Sequence, residues 1–449
     1  MSCLMIDVRH APVQLKQQPT LDNCSLPMPH LTHTRYVPRT RTALKKPVMI
    51  MERVPDEILL SISELFDVGP TLISLSLVCK RFRATCIPIL FRSIKVKDTR
   101  RLMELSHLCS VNPSLAQHIR HFVLYAGGWL SYGKVHDRRA LAHIARTVGL
   151  HLKSFTYVAS DGERPFPRNL PNLDIFKEFL LFFRNVEKLS LALEYADFPY
   201  DWDMYYDDNE FRDEECLQII LSHCVAVKNL DIGLPKPVSS ELVSYNGIDV
   251  SVPSHVQRFR FRHGLCYVAR LESWLAGLRF TDELSIESLC YTRLDVEALP
   301  MIFSKCAKTL RSLELGVIGL PSFYDKDYGM WQDTILRVIS MCKGLSHLIL
   351  NTVVYPNSAL LRNLPPGLKV LDIRGTSARV SSRDYYIRNP SMYEAFCSDL
   401  AGYVEANKHI LEQVHIRHVF AGTDLDEGMR MFLAKTCRGG AGSCSFGRW

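Results

Sequence analysis

The sequence predicts an α/β protein in two parts: a short all-helical segment, then a solenoid with an inner parallel sheet and an outer row of helices. Three observations carry this reading. A helical apolar period begins at Val54, a strand-like apolar triplet recurs from Ile119 to Ile416, and helix-like stretches stand in front of most of those triplets. At 449 residues and 47% apolar content, the chain can bury a large core or sustain a long repeat array.

Residues 1–50 come first and fit neither pattern. They hold six prolines, few periodic apolar positions and the basic residues Arg35, Arg39, Arg41, Lys45 and Lys46. So little apolar surface does not offset the entropy of ordering, and this stretch reads as a disordered basic tail. It carries seven Lys or Arg and two Asp of a chain whose formal charge is +7, which leaves +2 on the remainder. That near-balance gives no electrostatic case for nucleic-acid binding. The apolar stretch 175–183 is interrupted by Lys177 and Glu178 and is far shorter than the roughly twenty residues of a membrane span. Fourteen cysteines between Cys3 and Cys444 form no CxxC pair, which points to reduced thiols. The expectation is a protein of the cytoplasm and/or nucleus, with no membrane and no nucleic-acid partner.

From Val54 the pattern turns helical. Pro55 suits a first helical position, Asp56 and Glu57 favour the positive N-terminal end, and Ile58, Leu59, Ile62, Leu65 and Phe66 share a face. Gly69 and Pro70 stop this helix. Thr71 is placed to cap a second one, in which Leu72, Leu75, Cys79 and Phe82 recur at helical spacing with Lys80, Arg81 and Arg83 toward its C-terminal end. A third segment, 87–94, follows, so that 51–94 forms one all-helical domain.

After Pro113 the rhythm changes to large apolar residues at i, i+3 and i+5. The triplets are Ile119/Phe122/Leu124, Leu152/Phe155/Tyr157, Val186/Leu189/Leu191, Val227/Leu230/Ile232, Val256/Phe259/Phe261, a weaker pair Leu284/Ile286, Leu310/Leu313/Leu315, Leu345/Leu348/Leu350, Leu368/Leu371/Ile373 and Leu411/Val414/Ile416. Helix candidates precede them at 217–224, 299–306 and 335–342. One such unit cannot bury its apolar face alone, so stacked neighbours must share a continuous core between sheet and helices. The repeats with a linker helix and cap occupy 95–436, and 437–449 reads as a flexible tail.

Val54-Pro55-Asp56-Glu57-Ile58-Leu59-Leu60, Leu75-Ser76-Leu77-Val78-Cys79-Lys80-Arg81-Phe82-Arg83 and Ile89-Leu90-Phe91 together resemble the F-box motif of fungal proteins. The resemblance implies docking on a Skp-type adaptor, which joins a cullin scaffold and a charged ubiquitin-conjugating enzyme. Position by position it assigns adaptor contact to Val54 (in place of the family's leucine), Pro55, Ile58, Leu59, Ile62, Leu75, Val78, Cys79 and Phe82. Leu65, Leu72 and Leu90 are as readily packing residues. The triplets are similar to the leucine-rich repeats that often follow F-boxes, although their spacing varies and the usual Asn or Cys after each triplet is missing. Cys224 and Cys342, each three residues before a triplet, read as core thiols.

Insertions at 126–138, 158–172, 194–213, 233–254, 316–333 and 374–392 are expected on one edge of the solenoid. Their aromatics beside charges, Trp129, Tyr200, Trp202, Tyr205, Tyr206, Tyr324, Tyr328 and Trp331, are the candidate target-binding residues. No catalytic, metal or cofactor constellation emerges. Gly128 to Lys134 imitates a phosphate loop but lacks the magnesium-binding hydroxyl at Val135, and Asp201, Asp203 and Asp208 lack the calcium-loop pattern. The reading is therefore a non-catalytic substrate-recognition subunit of a cullin-type ubiquitin ligase, the alternative being a protein-interaction scaffold with no role in ubiquitin transfer.

Overall fold

The computed structural model describes residues 54–65, 69–126, 135–159, 180–192, 211–233, 252–262, 266–267, 277–290, 298–317, 327–351, 358–374, 390–417 and 443–444. The chain divides into two compact units, Met1–Leu90 and Phe91–Trp449.

The first unit is a helical trio: α1 (Asp56–Leu65), α2 (Pro70–Val78) and α3 (Lys80–Leu90). Asp56 and Glu57 occupy the first turn of α1, where the helix dipole favours them. Gly69 rather than Thr71 is the N-cap of α2, with Pro70 at the first helical position. The single helix expected to run from Thr71 through Phe82 is broken at Cys79, whose backbone is extended (φ −157°, ψ 166°). The break is satisfied locally. The Cys79 thiol accepts from the Phe82 N–H at 3.5 Å, as an N-cap oxygen would, and its carbonyl accepts the first helical bond from Arg83 at 3.0 Å. The Arg83 guanidinium turns back to donate to the carbonyl of Ser76 at 3.3 Å, one of the carbonyls that the end of α2 leaves open. Helix α3 packs on both α1 and α2. Leu59, Leu72, Phe82 and Cys86 are buried, and the Ser63 hydroxyl lies 4.0 Å from the Cys86 sulfur.

The second unit is a 13-stranded sheet in which every pairing is parallel and strand order follows the chain. Its strands are β1 (Ser93–Val96), β2 (His121–Ala126), β3 (Ser154–Ala159), β4 (Lys188–Ala192), β5 (Asn229–Gly233), β6 (Arg258–Arg262), β7 (Cys266–Tyr267), β8 (Glu283–Cys290), β9 (Ser312–Val317), β10 (His347–Asn351), β11 (Val370–Arg374), β12 (Gln413–Arg417) and β13 (Ser443–Cys444). Only β7 lies off the sequential path, pairing with the far end of β8. Between strands stand α4 (Thr99–Val111), α5 (Pro113–Ala116), α6 (Val135–Val148), α7 (Phe211–His223), α8 (Leu299–Ser304), α9 (Asp327–Met341), α10 (Ser358–Asn363) and α11 (Pro390–Asn407). Neighbouring helices touch in two runs, α4 with α6, and α8, α9, α10 and α11 in turn.

The triplets explain this architecture. Their middle members form one row across the sheet, Phe122 against Phe155, Leu189, Leu230, Phe259, Leu284, Leu313, Leu348, Leu371 and Val414. Their last members form a second row two residues on, on the same face of the pleat. All the triplet side chains from Ile119 to Val414 are buried. In the weaker repeat the first position is Thr281, fully buried, whose hydroxyl donates to the carbonyl of Val256 at 3.0 Å. A hydrogen-bonded hydroxyl therefore stands where other coils have an aliphatic side chain. Phe182, from a 3₁₀ turn at Leu180–Phe182, stacks on Phe122 and Phe155 at 5.4 and 5.2 Å between centroids.

A second repeat runs along the backbone where the strands begin. The carbonyls of Arg92, Arg120, Lys153, Glu187, Lys228, Gln257, Asp282, Arg311, Ser346 and Lys369 each accept two consecutive N–H groups of the next coil, at 2.8–3.1 Å. Each coil is thus pinned to its neighbour at the same point.

Three boundaries differ from the sequence reading. Ile94, expected to end the third helix, lies in β1, because Phe91, Ile94 and Val96 repeat the i, i+3, i+5 spacing and pair with β2. Ser443 and Cys444, expected in a flexible tail, pair with Gln413 and Val414. Residues 135–138, 211–213, 327–333 and 390–392, expected in insertions, open the helices α6, α7, α9 and α11.

Candidate partner-binding surfaces

Helix geometry gives the trio two apolar stripes. On α1, Leu59 and Ser63 form the buried one, while Ile58, Ile62 and Leu65, at i, i+4 and i+7, form a second stripe that stays in water at 50%, 38% and 85% exposure. On α2, Leu72 is inside and Ile73 and Leu77, also at i and i+4, are outside, joined by Val78. Seven of the fifteen exposed large apolar side chains among the described residues belong to this unit of three short helices.

Of the residues assigned to adaptor contact, Pro55, Ile58, Ile62, Val78 and Cys79 are exposed, and Val54 and Leu75 are half-buried. Leu59 and Phe82 are buried in the structure and hold the helices together. Leu60, Leu65, Ile73 and Leu77 extend the outward surface beyond the assigned set. Helical spacing leads to two of them, Leu65 at i+7 from Ile58 and Leu77 at i+4 from Ile73. Arg81 closes the entrance to the trio: its Nε donates to Asp56 Oδ1 at 2.6 Å and its Nη2 donates to the Val54 carbonyl.

The candidate target-binding residues Trp129, Tyr200, Trp202, Tyr205, Tyr206 and Tyr324 lie outside the described residues. Tyr328 and Trp331 fall on α9, but their side chains lie outside the described residues too. The open face of the sheet, which the sequence reading passed over, is described in detail. Side chains alternating with the buried rows lie on that face, and from β4 to β12 many of them are charged or polar and bonded to one another, Ser190, Asp372 and His415 among them buried. Arg262 Nε meets Asp231 Oδ1 at 2.8 Å, and Ser190 donates to the other Asp231 oxygen at 3.3 Å. Arg260 meets Glu287 at 2.6 Å. Glu314 accepts from Ser285 at 2.8 Å and Asn351 at 2.9 Å, and it lies 3.5 Å from Arg374, which also meets Asp372 at 2.8 Å.

Over β1–β4 the balance changes. Lys95, His121 and Lys188 face outward with no carboxylate on these strands, and Lys97 lies over the Tyr125 ring at 5.1 Å. Burial, and then Arg92, Lys188 and Arg120, hold the His121 imidazole below its usual pKa. Glu187, at the near end of β4, is held below the usual carboxylate range by its hydrogen bond from Lys153 and by the charges of Lys153 and Lys228.

The core thiols are chemically quiet. Burial pushes Cys224 and Cys342 up to about 12 and Cys306 up to about 11, so none is a nucleophile near neutral pH. No helix among the described residues is long and apolar enough to cross a membrane, and none of their acidic, His and Cys side chains gather into a group able to hold a metal.

Compared with models of protein families and with curated proteins, the chain matches none. The fold and the two surfaces therefore carry the functional argument by themselves.

Proposed function

We propose that this chain is the substrate-recognition subunit of a cullin-type ubiquitin ligase, an F-box protein whose helical trio binds a Skp-type adaptor and whose stacked coils hold a target protein. The observation that carries the reading is the exposure of Ile58, Ile62 and Leu65 on α1 and of Ile73, Leu77 and Val78 on α2, on the segment whose sequence resembles the adaptor-binding motif. An adaptor covering it would remove apolar area from water at about 25 cal/mol per Å². The chain itself performs no chemistry in this scheme. It raises the effective concentration of the target at the conjugating enzyme, and bond-making belongs to the partners.

The test is co-purification of the full chain with a Skp-type adaptor, comparing wild type with Ile58→Asp and with Ile73→Asp/Leu77→Asp, and following folding by circular dichroism. Adaptor capture by wild type, lost in both variants with helicity intact, is the expected result. A folded wild type that captures no adaptor overturns the ligase reading in favour of an interaction scaffold.

A further inference from the structure

We propose that the sheet face over β1–β4 is a docking surface for an acidic stretch of a partner polypeptide. This deepens the receptor reading by naming the chemistry of the target, and it rests on that reading only for what happens after binding.

The first support is charge. The four strands and the residue before each contribute Arg92, Lys95, Arg120, Lys153 and Lys188 against one carboxylate, Glu187. That carboxylate sits at the limit of the region, between Lys153 at 2.6 Å and Lys228 at 3.7 Å. The same positions on β5–β12 carry near-equal numbers of acids and bases, and these bridge one another, as Asp231 does Arg262 and Glu287 does Arg260. Both ends of the face belong to one sheet and one register, so the excess of cations at one end is specific to those strands.

The second support is shape. The row across the sheet from Lys95 holds Val123, Thr156 and Ser190, none of them longer than the cations, and Lys188 stands two residues back on β4, in the row of Ser93, His121 and Ser154. Neighbouring strands are about 4.8 Å apart and the two-residue offset adds about 6.6 Å along the strand, which puts Lys95 and Lys188 roughly 16 Å from each other across the floor. An extended peptide of about five residues covers that span and presents carboxylates to both ends. A nucleic acid fits less well. Its binders typically neutralise about six to ten phosphates, more than this patch offers, and Tyr125, the aromatic ring on this face, already has Lys97 over it. Electrostatic steering of an acidic segment is the expected mode of encounter.

The experiment uses the full chain and a fluorescently labelled oligo-glutamate peptide, with binding followed by anisotropy over a salt series. Wild type is expected to bind with affinity that falls as salt rises. Lys95→Glu/Lys188→Glu is expected to weaken it by about tenfold or more, and Lys95→Gln/Lys188→Gln by less. Lys369→Glu, at the charge-balanced end, is expected to change little. Absence of binding to wild type overturns the proposal. So does equal binding by the charge-reversed variant, or tighter binding of an oligonucleotide of the same charge. Adaptor capture measured on the same proteins separates the two readings: failure there leaves the peptide result standing, and failure here leaves adaptor capture untouched.

Discussion

The helical trio and the stacked coils are both built on large aliphatic side chains, yet they use them in opposite ways. In the coils, each triplet side chain from Ile119 to Val414 is buried, and a neighbour of the same role lies one strand away. In the trio, Leu59 and Leu72 are sealed while Ile58, Ile62, Leu65, Ile73 and Leu77 are in water. A triplet residue in a coil is therefore committed to the fold, while seven large apolar residues of the trio stay in water. Side-chain type alone does not distinguish them; position on a helix or strand face does.

Four measurements sharpen or break that contrast. The largest effect belongs to Phe155→Ala. Its ring is fully buried and meets Phe182 and Phe183 at 5.2 Å, so truncation should cost about 3–5 kcal/mol, seen as faster hydrogen exchange in β2–β4. Second is alkaline sensitivity. Below pH 9 the thiols of Cys224, Cys306 and Cys342 are protonated whether the chain is folded or not, and their burial contributes in full. Above their usual 9.0 the unfolded thiols ionise while the folded ones, raised to about 11–12, do not. Unfolding then releases protons, so stability falls as pH rises, by up to about 1.4 kcal/mol per thiol per pH unit. Denaturant titrations at pH 8 and pH 10 measure it, and Cys224→Ala should flatten the slope.

A smaller effect is expected at Cys79, where a thiol takes the place of a capping hydroxyl. Cys79→Ala should destabilise the trio by about 0.5–1 kcal/mol, and Cys79→Ser should match or exceed wild type, both read from thermal melts. The smallest is Ile58→Asp, whose effect on stability should stay within about 1 kcal/mol because the side chain is half in water already. A loss like that of Phe155→Ala would show that the outward stripe belongs to the fold after all.

Much of this contrast was legible in the chain. The spacing i, i+3, i+5 locates the buried rows of ten strands, because the pleat and the turn before it fix which side chains point inward. It also marks β1 through Phe91, Ile94 and Val96, but the helical motif ending at Phe91 claims the same residues, and a position that serves two patterns is read by the stronger one. At β13 the row is continued by Cys444 alone, too faint a signal to find a strand. The division of the trio's stripes was not legible, since Ile58 and Leu59 differ by one position and not by chemistry. The charge pairs of the sheet face were hidden as well. Asp231 and Arg262, or Glu314 and Arg374, are tens of residues apart and become neighbours only through the stacking.

The ladder of doubly accepting carbonyls bears on how this chain tolerates change. Triplets start 23 to 43 residues apart, yet each strand begins in step with the one before it, and the register shift of β8 against β9 comes later, between Ile286 and Leu289. A carbonyl that takes two consecutive N–H groups resets the alignment once per turn of the chain, so an error in length is not passed to the next coil. Inserting residues between Asn351 and Ser358 should therefore leave β11 aligned with β10. The protein is built like a stair in which every step is levelled separately, and its loops can change length freely while the sheet does not.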